Sequence, residues 1–448
     1  MTRRELHLNV NALNSGFHGA AWRASWSNPA AFLDMNHFLE IAKTAERGTF
    51  DAVFMADIPV MAGVPRFRPY QALEPTLVLA AMAVVTNRIG LIATASTTFN
   101  DPYNLARRLL SLDHMSQGRC GWNVVTTADA SAARNFGYKQ QPPHHERYVR
   151  ADAFTRVVKK LWDSWEDGAF VGDKSTGIFI DTDRVHDIAH KDEFYSVQGS
   201  LSLPRSVQGY PVLLQAGGSD DGRDLAAKHA DAIFSIAQTI DEGVEFTTDI
   251  RRRAVGFGRT DPILVMPGLS TLIGSDESEV KRREDELWGL FPETSALDRL
   301  TVLFRIDVDR LELDKPLPND IVTPPNGDRT FSGATLSAAR RDNLTVRQLI
   351  RRLGGSTGHR FLVGTPRTIA DDIEAWFLAG AADGFNLMPD VLPDGLSVFV
   401  DEVVPILRAK GIFRTHYEGR TLRDHFGLSI PQQNHTPSTL EATAVPLR

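Results

Sequence analysis

The stretch IGLIATASTTFNDPYNLARRLLSLDHMSQGRCGWNVVTT, residues 89–127, decides the fold. It opens with an apolar run of strand character at 89–95 and turns through polar residues into Asp101-Pro102, an N-cap residue followed by a proline suited to the first helical position. Apolar residues then recur at helical spacing over 102–115, and a second short apolar run follows at 121–125. Two short strands joined by an amphipathic helix form a βαβ unit, which calls for a parallel sheet.

The same alternation extends in both directions. Strand runs fall at 6–11, 52–55, 89–95, 121–125, 212–215, 232–235, 263–269 and 384–387, with helical runs at 34–47, 75–85, 102–115, 147–166, 220–229, 241–255, 278–290 and 368–379. Eight strands favour a closed α/β barrel, the (β/α)8 TIM barrel, over an open sheet. At 448 residues the chain exceeds an ordinary single core, but such barrels grow by insertion between strands. Two stretches break the repeat: 167–210, rich in Asp, His, Gly and Ser, and 293–358, which mixes proline turns with a helical piece near 346–353. The expectation is one barrel domain over 1–428, with these insertions either at the C-terminal mouth or in a dimer contact, and a tail over 429–448 without periodicity.

Composition narrows the function classes. With 42% hydrophobic residues a large core can form, and 23% charged residues with a net charge of −7 indicate neither nucleic acid nor a membrane surface as partner. The opening residues lack the apolar run of a secretory signal, and no 20-residue apolar span occurs. The single Cys120 excludes an internal disulfide and a cysteine-based zinc cage, and reads as a small buried residue of a strand. A cytoplasmic protein is expected.

Barrel enzymes carry their chemistry at the C-terminal ends of strands, and those ends are polar here. The second run leads into Asp57, a carboxylate that needs a partner at the mouth. The third ends in Thr94-Ala95-Ser96-Thr97-Thr98, the fourth carries Asn123 before Thr126-Thr127, and the fifth ends in Gly217-Gly218-Ser219 at the start of a helix. That turn can present backbone N–H groups and a dipole end to a phosphate, or Ser219 can simply cap the helix, with Asp220 and Asp221 opposing an anion. The run HHERY, 144–148, offers His144 and Tyr148 as hydrogen-bonding groups just before a helix starting at Arg147. Adjacent imidazoles at His144 and His145 do not suit a shared metal, and no HExxH pattern occurs, so no metal site is expected. His18, beside Trp22 and Trp26 after the first strand, can serve as acid, base or donor, or as a structural imidazole over tryptophan. No GxxxxGK[ST], GxGxxG or GxSxG motif occurs, so a redox enzyme with this sequence must receive its electrons from elsewhere.

The stretch from Thr94 to Thr127 resembles the signature of the bacterial luciferase-like flavin monooxygenases, in the branch of the nitrilotriacetate, dibenzothiophene-sulfone and long-chain alkane monooxygenases. ARNFGY at 133–138, HHERYVRADAF at 144–154, PVLLQAGGSDDGRDLAAKHAD at 211–231 and VGTPRTIADDIEAWFLAGAADGFNLMP at 363–389 carry the resemblance across nearly the whole chain. It implies a two-component enzyme that takes reduced FMN (FMNH2) from a separate NAD(P)H:flavin reductase and uses O2 to oxidise a small organosulfur, aminocarboxylate or alkane-like substrate. It also implies a homodimer or homotetramer. By position, Asp57, Thr94, His144, Tyr148 and Ser219 match the family's FMN contacts, with Asn123 and Gly218 as lesser ones, and His18 matches a catalytic histidine near the flavin. The resemblance favours phosphate binding at Ser219. Two positions depart from the pattern: His145 where relatives often carry an acid, and Gly218 in place of a serine that would donate to phosphate. A deazaflavin-dependent oxidoreductase and a flavin-binding protein without turnover are the competing expectations, and Phe179, Tyr195, Phe331 and Phe361 are the apolar candidates for a substrate pocket.

Overall fold

A computed structural model describes residues 4–61, 69–70, 73–325, 329–354 and 358–433; the tail expected beyond 433 lies outside the described residues. Strands β1 (His7–Asn11), β2 (Ala52–Met55), β3 (Gly90–Ser96), β4 (Cys120–Val125), β5 (Val212–Ala216), β6 (Ala232–Ser235), β7 (Leu264–Ile273), β8 (Arg360–Gly364) and β9 (Gly384–Pro389) form one parallel sheet. Neighbours run β1 to β7 in chain order, β9 pairs with both β7 and β1, and the eight strands without β8 thus close into a barrel. All eight coincide with the runs read from sequence. Strand β8 was not read as one; it extends the barrel wall beside the outer half of β7, from Leu269↔Arg360 to Ile273↔Gly364, and β7 therefore continues four residues past its expected end.

Alternation along each strand divides the core. In β2, Val53 and Met55 face the surrounding helices, while Ala52 and Phe54 face the barrel axis beside Ile92, Leu214 and Met266. The outer layer is built from α1 (Met35–Arg47), α2 (Pro75–Val85), α3 (Pro102–Met115), α4 (His144–Trp162), α5 (Asp220–His229) and α6 (Ile240–Gly256). Their starts follow the expected caps: the Asp34 side chain accepts from Asn36 N–H, Asp101 from Asn104 N–H and Ser219 from Gly222 N–H. Leu422 and Phe426 plug the N-terminal end of the barrel. A Cβ on Gly90 would come within 2.5 Å of Leu422, so glycine is needed for that close approach.

Two segments leave the βα repeat. The chain from 165 to 210 makes two small hairpins, Phe170–Asp173 with Ile178–Ile180 and His190–Lys191 with Ser196–Val197. It packs on the outer layer, with Tyr195 against Phe154 and the Trp165 indole donating to Leu201 O. After β7 come α7 (Glu277–Leu290), α8 (Glu293–Phe304), α9 (Arg329–Arg341) and α10 (Val346–Gly354), whose apolar faces form a separate small core around Phe304, Leu336 and Leu349. Helix α11 (Pro366–Leu378) returns the chain to β9. The start of the tail is tied down: Gln433 Nε2 donates to Trp165 O and Arg205 Nη2 to Pro431 O. Among the described residues no helix is long and apolar enough to cross a membrane.

Candidate active site at the barrel mouth

A cavity of about 720 Å³ opens at the C-terminal ends of the strands. That volume lies within the range of small-molecule sites. Its floor is aromatic, with Phe54 edge-on to Phe234 at 5.4 Å and His359 stacked on Phe234 at 4.9 Å. Burial holds the His359 imidazole down to about 3, so it is uncharged at neutral pH. Gly268 of β7 makes room for it, since a Cβ there would lie 2.4 Å from His359 Nδ1.

Above the floor stand polar strand ends. Asp57 follows β2, and burial, reinforced by the Glu74 carboxylate and opposed by Arg108, pushes its carboxyl up to about 6. Thr94 and Asn123 face each other across the β3–β4 register, and the Asn123 amide donates to Thr94 Oγ1 at 2.9 Å. Asn123 Oδ1 is buried without a hydrogen-bond partner, as is His144 Nδ1. Such orphaned polar atoms on a cavity wall suit a polar ligand.

One corner gathers the remaining predicted groups. Helix α4 begins at His144, with Pro143 at its N-cap, rather than at Arg147, so HHERY forms the first turn of the helix instead of a loop before it. Proline's fixed φ and missing donor let it serve immediately before the first turn. His144 and Tyr148, one helical turn apart, thereby meet at 4.9 Å between rings. His144 Nε2 lies 3.3 Å from Ser219 Oγ, and burial, with the Arg147 guanidinium, lowers the His144 pKa despite Asp221 nearby. His145 is exposed and pairs with Asp221 at 2.9 Å.

Asp57, Thr94, Asn123, His144, Tyr148 and Ser219 line this one cavity. Two predicted residues do not. Gly218 turns its N–H to Thr330 Oγ1 at 3.0 Å. His18 is not among the lining residues; it packs edge-on against Trp288 at 4.9 Å, with Nδ1 accepting from Ala20 N–H at 3.1 Å. The cause is the tight path of its loop: Gly16, at φ 128°, passes so close to Asp390 O that a Cβ would lie 2.3 Å from it, and His18 N–H is held by the same carbonyl. Of the four aromatics expected in a substrate pocket, Phe331 alone lines the cavity. Phe179 sits exposed on a hairpin, Tyr195 packs on α4, and Phe361 belongs to a cluster behind β7.

Sequence reasoning missed Arg305, Arg329 and Thr330, on the cavity wall from the segment read as an insertion, and His359, which follows it directly. The only local signal was Gly358-His359 immediately before an unread strand. Arg305 ends α8 in the left-handed region, φ 54° and ψ 51°, a conformation uncommon for a side-chain-bearing residue.

The luciferase-like monooxygenase family model matches residues 17–383. The chain is 43% identical to N-acetyl-S-(2-succino)cysteine monooxygenase of Bacillus subtilis (strain 168), over 96% of this chain and 98% of that protein. It is 42% identical to nitrilotriacetate monooxygenase component A of Aminobacter aminovorans, with the same shares covered. Among solved structures, a riboflavin lyase with modified FMN and its substrate riboflavin superposes with a TM-score of 0.84 at 30% identity, covering 95% of this chain and 96% of that one. A parallel barrel closed as above, similar over its whole length to oxygenases of one kind, has one reading: the chain belongs to the luciferase-like monooxygenases and is a flavin-dependent oxygenating enzyme.

Proposed function

We propose that the protein is the oxygenating component of a two-component monooxygenase that receives reduced FMN from a separate NAD(P)H:flavin reductase and works in the cytoplasm. The carrying observation is the polarity of the cavity, which has an aromatic floor of Phe54, Phe234 and His359 at one part and the hydroxyl, imidazole and helix starts of Ser219 and His144 at another. An isoalloxazine suits the first and a phosphate the second. Reduced flavin, when bound, supplies the electrons that activate O2.

The chain's own groups do the rest. Ser219, His144, Tyr148 and the 217–219 turn would hold the phosphate, and Asn123 Oδ1, Thr94 and Asp57 would meet the polar part of the ring. Val302, Leu303 and Phe331 limit water at the mouth. Asp57, its carboxyl pushed up to about 6 chiefly by burial, can give or take a proton close to neutral pH. For the substrate, Arg147 and Arg305 on the wall support a carboxylate-bearing molecule within the aminocarboxylate and organosulfur classes. The names of the two relatives above point the same way.

Oxygen uptake with NADH, a flavin reductase and FMN, screened over aminocarboxylates, S-carboxyalkyl thiols, aryl sulfones and alkanes, tests this. Substrate-dependent uptake with a hydroxylated or cleaved product is expected. Turnover with a reduced deazaflavin instead, or flavin binding without uptake for any class, overturns it.

A further inference from the structure

The flavin-phosphate corner is open on one side to a segment far away in sequence. Helix α9 begins at Arg329, and Thr330 docks on the Gly217-Gly218-Ser219 turn, with its Oγ1 accepting the Gly218 N–H at 3.0 Å. The fit requires glycine, because a Cβ on Gly218 would come within 2.8 Å of Thr330 Cγ2. Thus the space that a side chain at 218 would fill is taken by the threonine, and a hydroxyl is returned to the same place. An oxygen that accepts from Gly218 keeps its own proton for donation, so the backbone donor is relayed outward rather than lost.

Charge at the corner demands a cation. Ser219 is followed by Asp220 and Asp221 in the first turn of α5, and Asp221 Oδ2 lies 3.5 Å from His144 Nε2. Carboxylates there oppose a phosphate dianion. The His144 imidazole is held toward its neutral form, first by burial and then by neighbouring guanidinium groups that include Arg329. Arg329 is exposed at the cavity rim and reaches this corner, where a guanidinium can pair with phosphate oxygens.

We infer that Thr330 and Arg329, carried by α9, complete the FMN phosphate seat: Thr330 supplies the hydroxyl that Gly218 lacks, and Arg329 supplies the balancing charge. Flavin binding therefore also fixes α9 over the mouth. This rests on the proposed reading of the Ser219 corner as the phosphate seat.

Anaerobic ultrafiltration with photoreduced FMN and photoreduced riboflavin, which lacks the phosphate, tests it through binding alone. The wild-type protein should prefer FMN. Arg329→Gln and Thr330→Val should each weaken FMN binding by roughly fivefold to tenfold and leave riboflavin binding unchanged, while Thr330→Ser restores it. The salt dependence of FMN binding should flatten in Arg329→Gln. If both variants keep the wild-type FMN-to-riboflavin ratio while Ser219→Ala lowers it, the phosphate seat stands and this inference falls. If the wild-type protein does not distinguish the two flavins and Ser219→Ala is silent, the underlying reading falls and takes the inference with it.

Discussion

The side-chain amide of Asn123 donates to Thr94 Oγ1 across 2.9 Å, joining register partners on β4 and β3 inside the mouth and leaving Asn123 Oδ1 buried without a partner. The bond fixes which way the amide points. Thr94→Val removes the acceptor and frees the amide to rotate. Reduced-FMN affinity should fall by about 1–2 kcal/mol, measured by anaerobic titration, with the fold intact by circular dichroism.

Asp57 makes stability depend on pH. Burial and Glu74 raise its folded pKa to about 6, above the ordinary carboxylate value of about 3.9, so the folded state holds the proton more tightly than the unfolded chain does. The contribution is present in full below about pH 4 and is lost as pH rises through about 6. Flavin-free Asp57→Asn should therefore melt higher than the wild type above pH 6, and the gap should close toward pH 4. A gap that does not change between those pH values would remove Asp57 from this role.

His18 is not among the residues that line the cavity; its Nδ1 accepts Ala20 N–H and its ring packs on Trp288 and Phe291. His18→Ala should destabilise the protein by about 1–3 kcal/mol through the lost bond and packing. Its reduced-FMN affinity should stay within about twofold of wild type, a change of under ~0.5 kcal/mol. A large loss of flavin affinity at full stability would place His18 at the flavin.

Arg119 is the strongest structural prediction. Its buried guanidinium donates to Ser116 O, Ile89 O, Thr86 Oγ1, Ala83 O and Thr86 O, pinning the loops below α2, β3 and α3 at the closed end of the barrel. Arg119→Met strands those carbonyls. A cost of about 3 kcal/mol or more is expected in a urea melt, with flavin affinity of the folded fraction unchanged because the residue is far from the mouth.

What the sequence determined by itself was local. Short apolar strand runs, helical periodicity and cap residues such as Asp101 are set by neighbours in the chain, and all eight barrel strands followed from them. Strand-end polarity likewise marked Asp57, Thr94, Asn123 and Ser219, because a barrel directs those ends to one face. Tertiary structure decided what depended on contacts distant in sequence. Strand β8 exists because β7 offers it an edge, and Arg329, Thr330 and His359 reach the cavity only because α9 docks on the Gly218 turn and Gly268 admits an imidazole. His18 could be read from its neighbours as a catalytic or a structural imidazole alike, and its packing on Trp288 and the close passage of Gly16 against Asp390 are contacts distant in sequence. Periodicity reports which face of an element is buried; it carries no information about which remote segment covers it.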